Sequence, residues 1–242
     1  MKIDIAHMKK STVQEIKERF DKDVERFSDL ETGQVSTIDA KISLELITEA
    51  SKRLVPNAQN LLDIGCGAGN FTLMMLTKIP GLSCTLVDIS QPMLDKAIER
   101  VSQQADSEVE ALQGDIRDVG LKENHFDIIL AGAVLHHLRN DRDWEKTFGK
   151  IYGLLRPGGC FMISDLVTQE NELLNGYTWE RYGDYLEGLK GKEYRENVLA
   201  YVAKEDSPRS INYQLDLMRR VGFKETEILH KNMCFGVFGG IK

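Results

Sequence analysis

A chain of 242 residues that is 42% hydrophobic can bury a sizeable core, and its size suits one α/β unit with an added element. Its net charge of −7 and isoelectric point near 5.4 argue against a general polyanion-binding surface, and so against nucleic acid as the first choice of partner. The longest apolar runs fall short of a membrane span, the opening MKIDIAHMKK is charged, and four cysteines without C-x-x-C spacing predict reduced structural thiols, so a soluble, cytoplasmic protein with no membrane partner is expected.

Val13, Ile16, Phe20, Val24 and Phe27 recur at three- and four-residue steps, which predicts an amphipathic helix over 9–28. A polar break over 31–37 follows. A second helix over 37–54 carries Ile38, Ile42, Leu46, Ile47 and Ala50 on one face, with Pro56 beyond its end. The chain then reads NLLDIGCGAGNF over 60–71. Leu61, Leu62 and Ile64 suit a buried central parallel strand, and Gly65, Gly67 and Gly69 suit a turn that lets the backbone approach a ligand. A helix follows, with its first amides pointing into the same space.

A dinucleotide fingerprint requires G-x-G-x-x-G or Ala, and its last position here is Asn70. Asp63, two residues before the first glycine, would repel a pyrophosphate but suits a cofactor carrying an ammonium and a sulfonium. The loop therefore favours a cationic nucleoside over NAD. Cys66 within it reads as a small filler rather than a nucleophile.

Pro80 and Gly81 end the first crossover helix, 71–78. The second strand, 84–87, is followed by Asp88 and Ile89, at the step where such folds place an acid on ribose hydroxyls. Ser90 caps a helix to about residue 104, on which Met93 either touches an adenine or fills the core. The third strand, 109–113, leads to Asp115 and Ile116, an acceptor for an adenine amino group and an apolar neighbour for the ring. Each acid taken alone reads equally well as a cap on the next helix or turn. Three at successive strand ends make a more specific pattern.

The fourth strand, 126–131, leads to His136 and His137, at the carboxyl end where open parallel sheets bind ligands. Neighbours in sequence cannot share a helix face, so at most one histidine is expected in the cleft, the other packing or meeting solvent. His136, as a base or substrate contact, and Asp165, at the end of the fifth strand (160–165), are the catalytic candidates, each against a purely structural role. No further histidine or cysteine stands at metal spacing, and no metal site is expected. A helix over 142–155 and the turn Arg156-Pro157-Gly158-Gly159 precede that strand.

From 168 to 209 the alternation lapses, and Tyr177, Trp179, Tyr182, Tyr185, Tyr194 and Tyr201 gather among charges of both signs. A helical cap is predicted, either lidding a small aromatic or carboxylate-bearing substrate or simply packed by these rings. A helix over 211–221 ends at Gly222, and strands over 226–230 and 234–239 are too close for a parallel crossover. They predict an antiparallel hairpin at one sheet edge.

The motifs LDIGCGAGN, LVDIS, GDIRD, FDIILAGAVLHHL and LLRPGGCFMISD, spanning 61 to 167, resemble those of class I S-adenosylmethionine (SAM) dependent methyltransferases. The resemblance implies an α/β, Rossmann-like fold: a mostly parallel seven-stranded sheet with an antiparallel C-terminal hairpin, helices on both faces and a helical cap. It implies a single domain, with N-terminal helices over 1–56, a SAM-binding core over 57–167, the cap over 168–209 and the last helix and hairpin over 210–242. Carried over residue by residue, it assigns Asp63 and the loop backbone at Gly65, Cys66 and Gly67 to the methionine part of SAM. It assigns Asp88 with Ile89 to the ribose and Asp115 with Ile116 to the adenine, with Met93 and the backbone near Ala131 close by. The leading helix would cover the cofactor mouth, with Phe20 or Phe27 closing it.

The implied activity is methyl transfer by in-line displacement to a small-molecule acceptor, with the oligomeric state left open, a dimer included. GDIRD, KIYGLLRPGG, the helical lid and RRVGFKETEILHKNMCFGVFGGIK also resemble the carboxy-SAM synthases of tRNA wobble modification, which implies SAM and prephenate as substrates. That family has serine at the position of Gly67 and asparagine at that of Ala131. A module that holds SAM without catalysis is the alternative of another class.

Overall fold

The computed structural model describes residues 10–29 and 34–242. Thr12 opens α1 (Val13–Phe20) with a capping box, its hydroxyl accepting the Glu15 N–H while the Glu15 carboxylate accepts the Thr12 N–H. The single helix expected over 9–28 is in fact two. After Phe20 the hydrogen bonding tightens, with the Lys22 and Asp23 amides reaching the Arg19 and Phe20 carbonyls, and the chain turns into α2 (Val24–Ser28). Residue 9 and residues 31–33 of the expected elements lie outside the described residues.

The next helix, α3 (Ala40–Leu54), starts three residues later than expected. Asp39 takes a left-handed conformation at φ +58°, and its carboxylate accepts the Asn232 amide and pairs with His230, which bars an earlier helical entry. The buried stripe also differs from the expected one: Ser43, Leu44, Ile47, Thr48 and Ser51 face inward, and Ile42 is 49% exposed. Small hydroxyl side chains lie on that stripe because Thr48 and Ser51 donate back to the Leu44 and Ile47 carbonyls.

Strands and crossover helices then alternate through β1 (Asn60–Ile64), α4 (Asn70–Lys78), β2 (Ser83–Asp88), α5 (Gln91–Val101), β3 (Val109–Gln113), β4 (Phe126–Gly132), α6 (Asp141–Leu154) and β5 (Leu155–Leu166). All neighbouring pairs among these five strands are parallel. Two helices follow, α7 (Glu172–Lys190) and α8 (Lys192–Glu205), before α9 (Ile211–Val221), β6 (Glu225–Asn232) and β7 (Phe235–Ile241). The strand order is β3-β2-β1-β4-β5-β7-β6, with β7 antiparallel to both its neighbours. The expected seven-stranded, mostly parallel sheet with an antiparallel ending is thus present.

The fifth strand is longer than 160–165. It begins at Leu155 opposite Phe126, and an irregularity before the Cys160–Ile128 pair absorbs Arg156–Gly159, where Gly158 sits at φ +80°. One face of the sheet packs against α6 and α9 through Trp144, Phe148, Phe161 and Met218, the other against α3, α4 and α5 through Ile47, Met75, Leu94 and Ala97. Strand order reverses between β1 and β4, the point at which open sheets leave a crevice at their carboxyl ends. Among the described residues no helix is long and apolar enough to cross a membrane.

The β5–β7 pairing depends on glycine. A Cβ on Gly239 would stand 2.4 Å from both the Phe161 carbonyl oxygen and the Met162 sulfur, and the carbonyl belongs to a central strand that cannot retreat. Gly239→Ala is expected to lower the urea-unfolding free energy by about 1–3 kcal/mol.

Candidate functional site

The carboxyl ends of β1 to β5 open into one cavity of about 680 Å³, a size typical of small-molecule sites. Its floor is the loop after β1. Gly65, Gly67 and Gly69 all have positive φ, and a Cβ on Gly65 would lie 2.5 Å from Val134. The Gly65 and Cys66 amides donate to the Val87 carbonyl at 2.7 and 3.1 Å, and the Gly67 amide donates to Asp88 Oδ2 at 2.9 Å. Asp88 Oδ1 accepts the Ser90 amide at 2.9 Å, so one carboxylate ties the loops after β1 and β2 together. Burial raises its pKa, against the lowering effect of those backbone donors.

Asp115 shares its carboxylate with Arg117, whose Nε and Nη2 donate at 2.9 and 2.5 Å. Burial pushes this carboxyl up, but the guanidinium and the Arg117 amide hold it below the ordinary value. Gly65, Cys66, Gly67, Asp88, Ile89, Met93, Asp115 and Ile116 all stand in the cavity wall. Two expected residues do not. Ala131 is fully buried in the core, because β4 runs one residue further and the wall begins at Gly132. Asp63 lies beneath the loop, where its Oδ2 accepts the Thr72 hydroxyl at 2.7 Å and its Oδ1 has no hydrogen-bonding partner among the described residues. Burial raises the Asp63 pKa to about 7.

Across the cavity stand Phe20 and Phe27, with ring centroids 5.5 Å apart, on the helices that precede the sheet. The Asn70 amide donates to the Phe27 carbonyl, and the Ser90 hydroxyl lies 2.6 Å from Asp21 Oδ1, which fastens this segment over the glycine loop. Tyr182 of α7 and Tyr194 and Tyr201 of α8 also line the cavity, Tyr182 donating to the Ser36 carbonyl as well, whereas Tyr177 is exposed and Tyr185 donates to the Val35 carbonyl. The rings thus divide between lining the cavity and packing α7 and α8. All four thiols are buried and free, and burial raises Cys66 well above its ordinary value and Cys84, Cys160 and Cys234 to about 12, which keeps them protonated at neutral pH.

At the carboxyl end of β4, both histidines reach the wall. Leu135–His137 form a short 3-10 turn rather than part of an α-helix, and this turns both rings toward Asp206, at the end of α8. His136 Nδ1 bonds Asp165 Oδ1, and the His136 amide donates to Asp165 Oδ2 at 3.1 Å. Burial opposes charge on His136, yet Asp165 and then Asp206 raise its pKa to about 9. Burial and the neighbouring His136 lower that of His137. The expectation of one histidine in the cleft was therefore too narrow. Spacing could not reveal Asp206, which stands some seventy residues downstream on another element.

A family profile described as a methyltransferase domain matches residues 62–161. A carboxy-S-adenosyl-L-methionine synthase of Vibrio atlanticus is 28% identical over 203 residues, which cover 79% of this chain and 80% of that protein. A demethylmenaquinone methyltransferase of Listeria monocytogenes is 27% identical over 176 residues, 72% of this chain and 73% of that one. The solved structure of 1,6-didemethyltoxoflavin-N1-methyltransferase from Burkholderia thailandensis, with 1,6-didemethyltoxoflavin and S-adenosylhomocysteine bound, matches with a TM-score of 0.64 and 16% identity over 96% of this chain and 91% of that one. That last likeness is one of fold.

Asp63 makes the site costly to the ligand-free fold. Its carboxyl takes up a proton on folding between the ordinary value of 3.8 and about 7, so stability falls as pH rises through that window and the whole penalty stands above it. Asp63→Asn is expected to stabilise the ligand-free protein by roughly 2–4 kcal/mol near pH 8 and by progressively less toward about pH 4. Denaturant melts at several pH values check this, and a pH-independent difference would contradict it.

Proposed function

We propose that this chain, which belongs to the class I SAM-dependent methyltransferases, transfers the methyl group of SAM to a small-molecule acceptor held in the same cavity. The observation that carries the reading is the continuity of that cavity, from the glycine loop after β1 and the acids after β2 and β3 across to the two histidines and the aromatic face of α8.

The donor end fits the cofactor. The loop from Gly65 to Gly67 brings backbone close to the space where the methionine part would lie, and Asp63 beneath it offers a buried oxygen whose charge a nearby cation would stabilise. Asp88 would take the ribose hydroxyls on its remaining lone pairs. Ile89, Met93 and Ile116 would enclose the adenine, with Asp115 near its amino group. When bound, SAM supplies a methyl group that its own sulfonium activates. The protein's part is then to align the acceptor and exclude water, which Phe20 and Phe27 do from above. His136, its ring fixed by Asp165, faces the acceptor.

Carboxy-SAM synthesis is the second reading, and the relative from Vibrio atlanticus favours it. It needs a cation free to hold a new carboxylate. Arg195 on α8 is turned away to Asp184 and Glu187 and is not in the cavity wall, while Arg19 is engaged by Glu205 and Asp23, Arg26 by Asp23 and Arg117 by Asp115 and Asp143. Lys190, in the wall beside the Tyr194 ring, has no ion pair among the described residues and is the cation this second reading would use. Methyl transfer stands first on the matched methyltransferase domain.

Asp88→Ala is expected to weaken SAM binding by about 10–100-fold, the range for loss of hydrogen bonds to a charged group, as read by calorimetric titration. Unchanged affinity would contradict the ribose assignment. Release of S-adenosylhomocysteine with an acceptor from a panel of small aromatic and carboxylate compounds would support methyl transfer, and carboxy-SAM formed from SAM and prephenate would replace it.

A further inference from the structure

We propose that His136, His137 and Asp206 form a binding site for one divalent transition-metal cation, zinc or ferrous iron in type, at the acceptor end of the cavity. Three donor atoms, one from each side chain, lie within 4.8 Å of one another. Asp206 Oδ1 is 3.7 Å from His136 Nε2 and 3.2 Å from His137 Nδ1. A tetrahedral cation with bonds of about 2.1 Å holds neighbouring donors roughly 3.4 Å apart, between those two distances.

The alignment of these atoms points the same way. Asp206 is 4% exposed, and neither its Oδ1 nor either ring nitrogen of His137 makes a hydrogen bond among the described residues, although Oδ1 and Nδ1 are only 3.2 Å apart. They are near each other but not aimed at each other, as when lone pairs converge on a third point. His136 is oriented in the same sense: Asp165 takes its Nδ1, which leaves Nε2 facing the site, where a cation would displace the proton it carries, and reproduces the carboxylate–histidine support that metal-bound imidazoles use.

Charge gives an independent reason. Asp165 and Asp206 are both buried, and among the described residues the ion partners of the Asp206 carboxylate are the two histidines alone. A buried carboxylate requires compensation, which a divalent cation supplies. Two imidazoles and one carboxylate select zinc, iron or nickel over magnesium, and three protein donors leave a position open, as in catalytic rather than structural centres. All three residues stand in the cavity wall, so that position is where an oxygen or nitrogen of the acceptor would be held.

The site does not depend on the cofactor reading, and the two are separable by experiment. Full-length protein stripped with a chelator is titrated calorimetrically with Zn²⁺ at neutral pH, and the Co²⁺ form is examined by visible absorption. One equivalent is expected to bind. Asp206→Asn and His137→Gln should each weaken it by roughly 100-fold or more, with SAM affinity and melting temperature retained, whereas His125→Gln, remote from the cluster, should leave it unchanged. Absence of stoichiometric binding in the parent protein would overturn the site and assign the charge compensation to a proton on His136. Binding unaltered in both cluster variants would overturn it too. Loss of SAM affinity with zinc affinity intact would count against the cofactor assignments alone.

Discussion

The Asp88 carboxylate accepts one amide from the loop after β1 and another from the loop after β2, and the geometry of the cavity floor follows from that shared anion. Gly67 can offer its amide only because the loop runs through three positive φ values, and Ser90 offers its own at the cap of α5. The Gly114 amide, donated to the Asp88 carbonyl, carries the linkage to the third strand end. Three adjacent parallel strands are thus joined at their carboxyl ends, where the reversal of strand order leaves the crevice. Around this floor the rest of the molecule supplies walls: α1 and α2 lean on it through Asp21 and Phe27, and α8 closes the far side.

Much of this was legible in the sequence because it depends on local chemistry. Apolar runs followed by glycine or an acid marked the parallel strands, and the close spacing of the last two excluded a crossover between them. Errors arose where a distant partner overrode a local preference. Asp39 delays α3 because His230 and Asn232, on the last hairpin, hold its carboxylate. Ile42 is exposed because that helix turns a serine and threonine stripe to the sheet. Arg156–Gly159, a strong turn signal, stays within β5 because the neighbouring strand accepts the irregularity.

The candidate site divides in the same way. Strand-end residues such as Asp88 and Asp115 could be placed by register alone, and they do stand in the cavity wall. Asp63 and Ala131 could not, since whether a side chain lies beside the cavity or below it depends on loop height and strand length. The histidine cluster was the least accessible. A 3-10 turn directs two sequence neighbours to one point, and their common partner arrives from the end of α8, an element whose position is set by packing of Tyr182, Leu186 and Val202 rather than by any motif.

If the cavity holds SAM and uses it for methyl transfer, a mass spectrum of the small molecule released when the purified protein is denatured should show SAM or S-adenosylhomocysteine. A species heavier than SAM by one carboxyl group, or a pyridine dinucleotide, would contradict that reading.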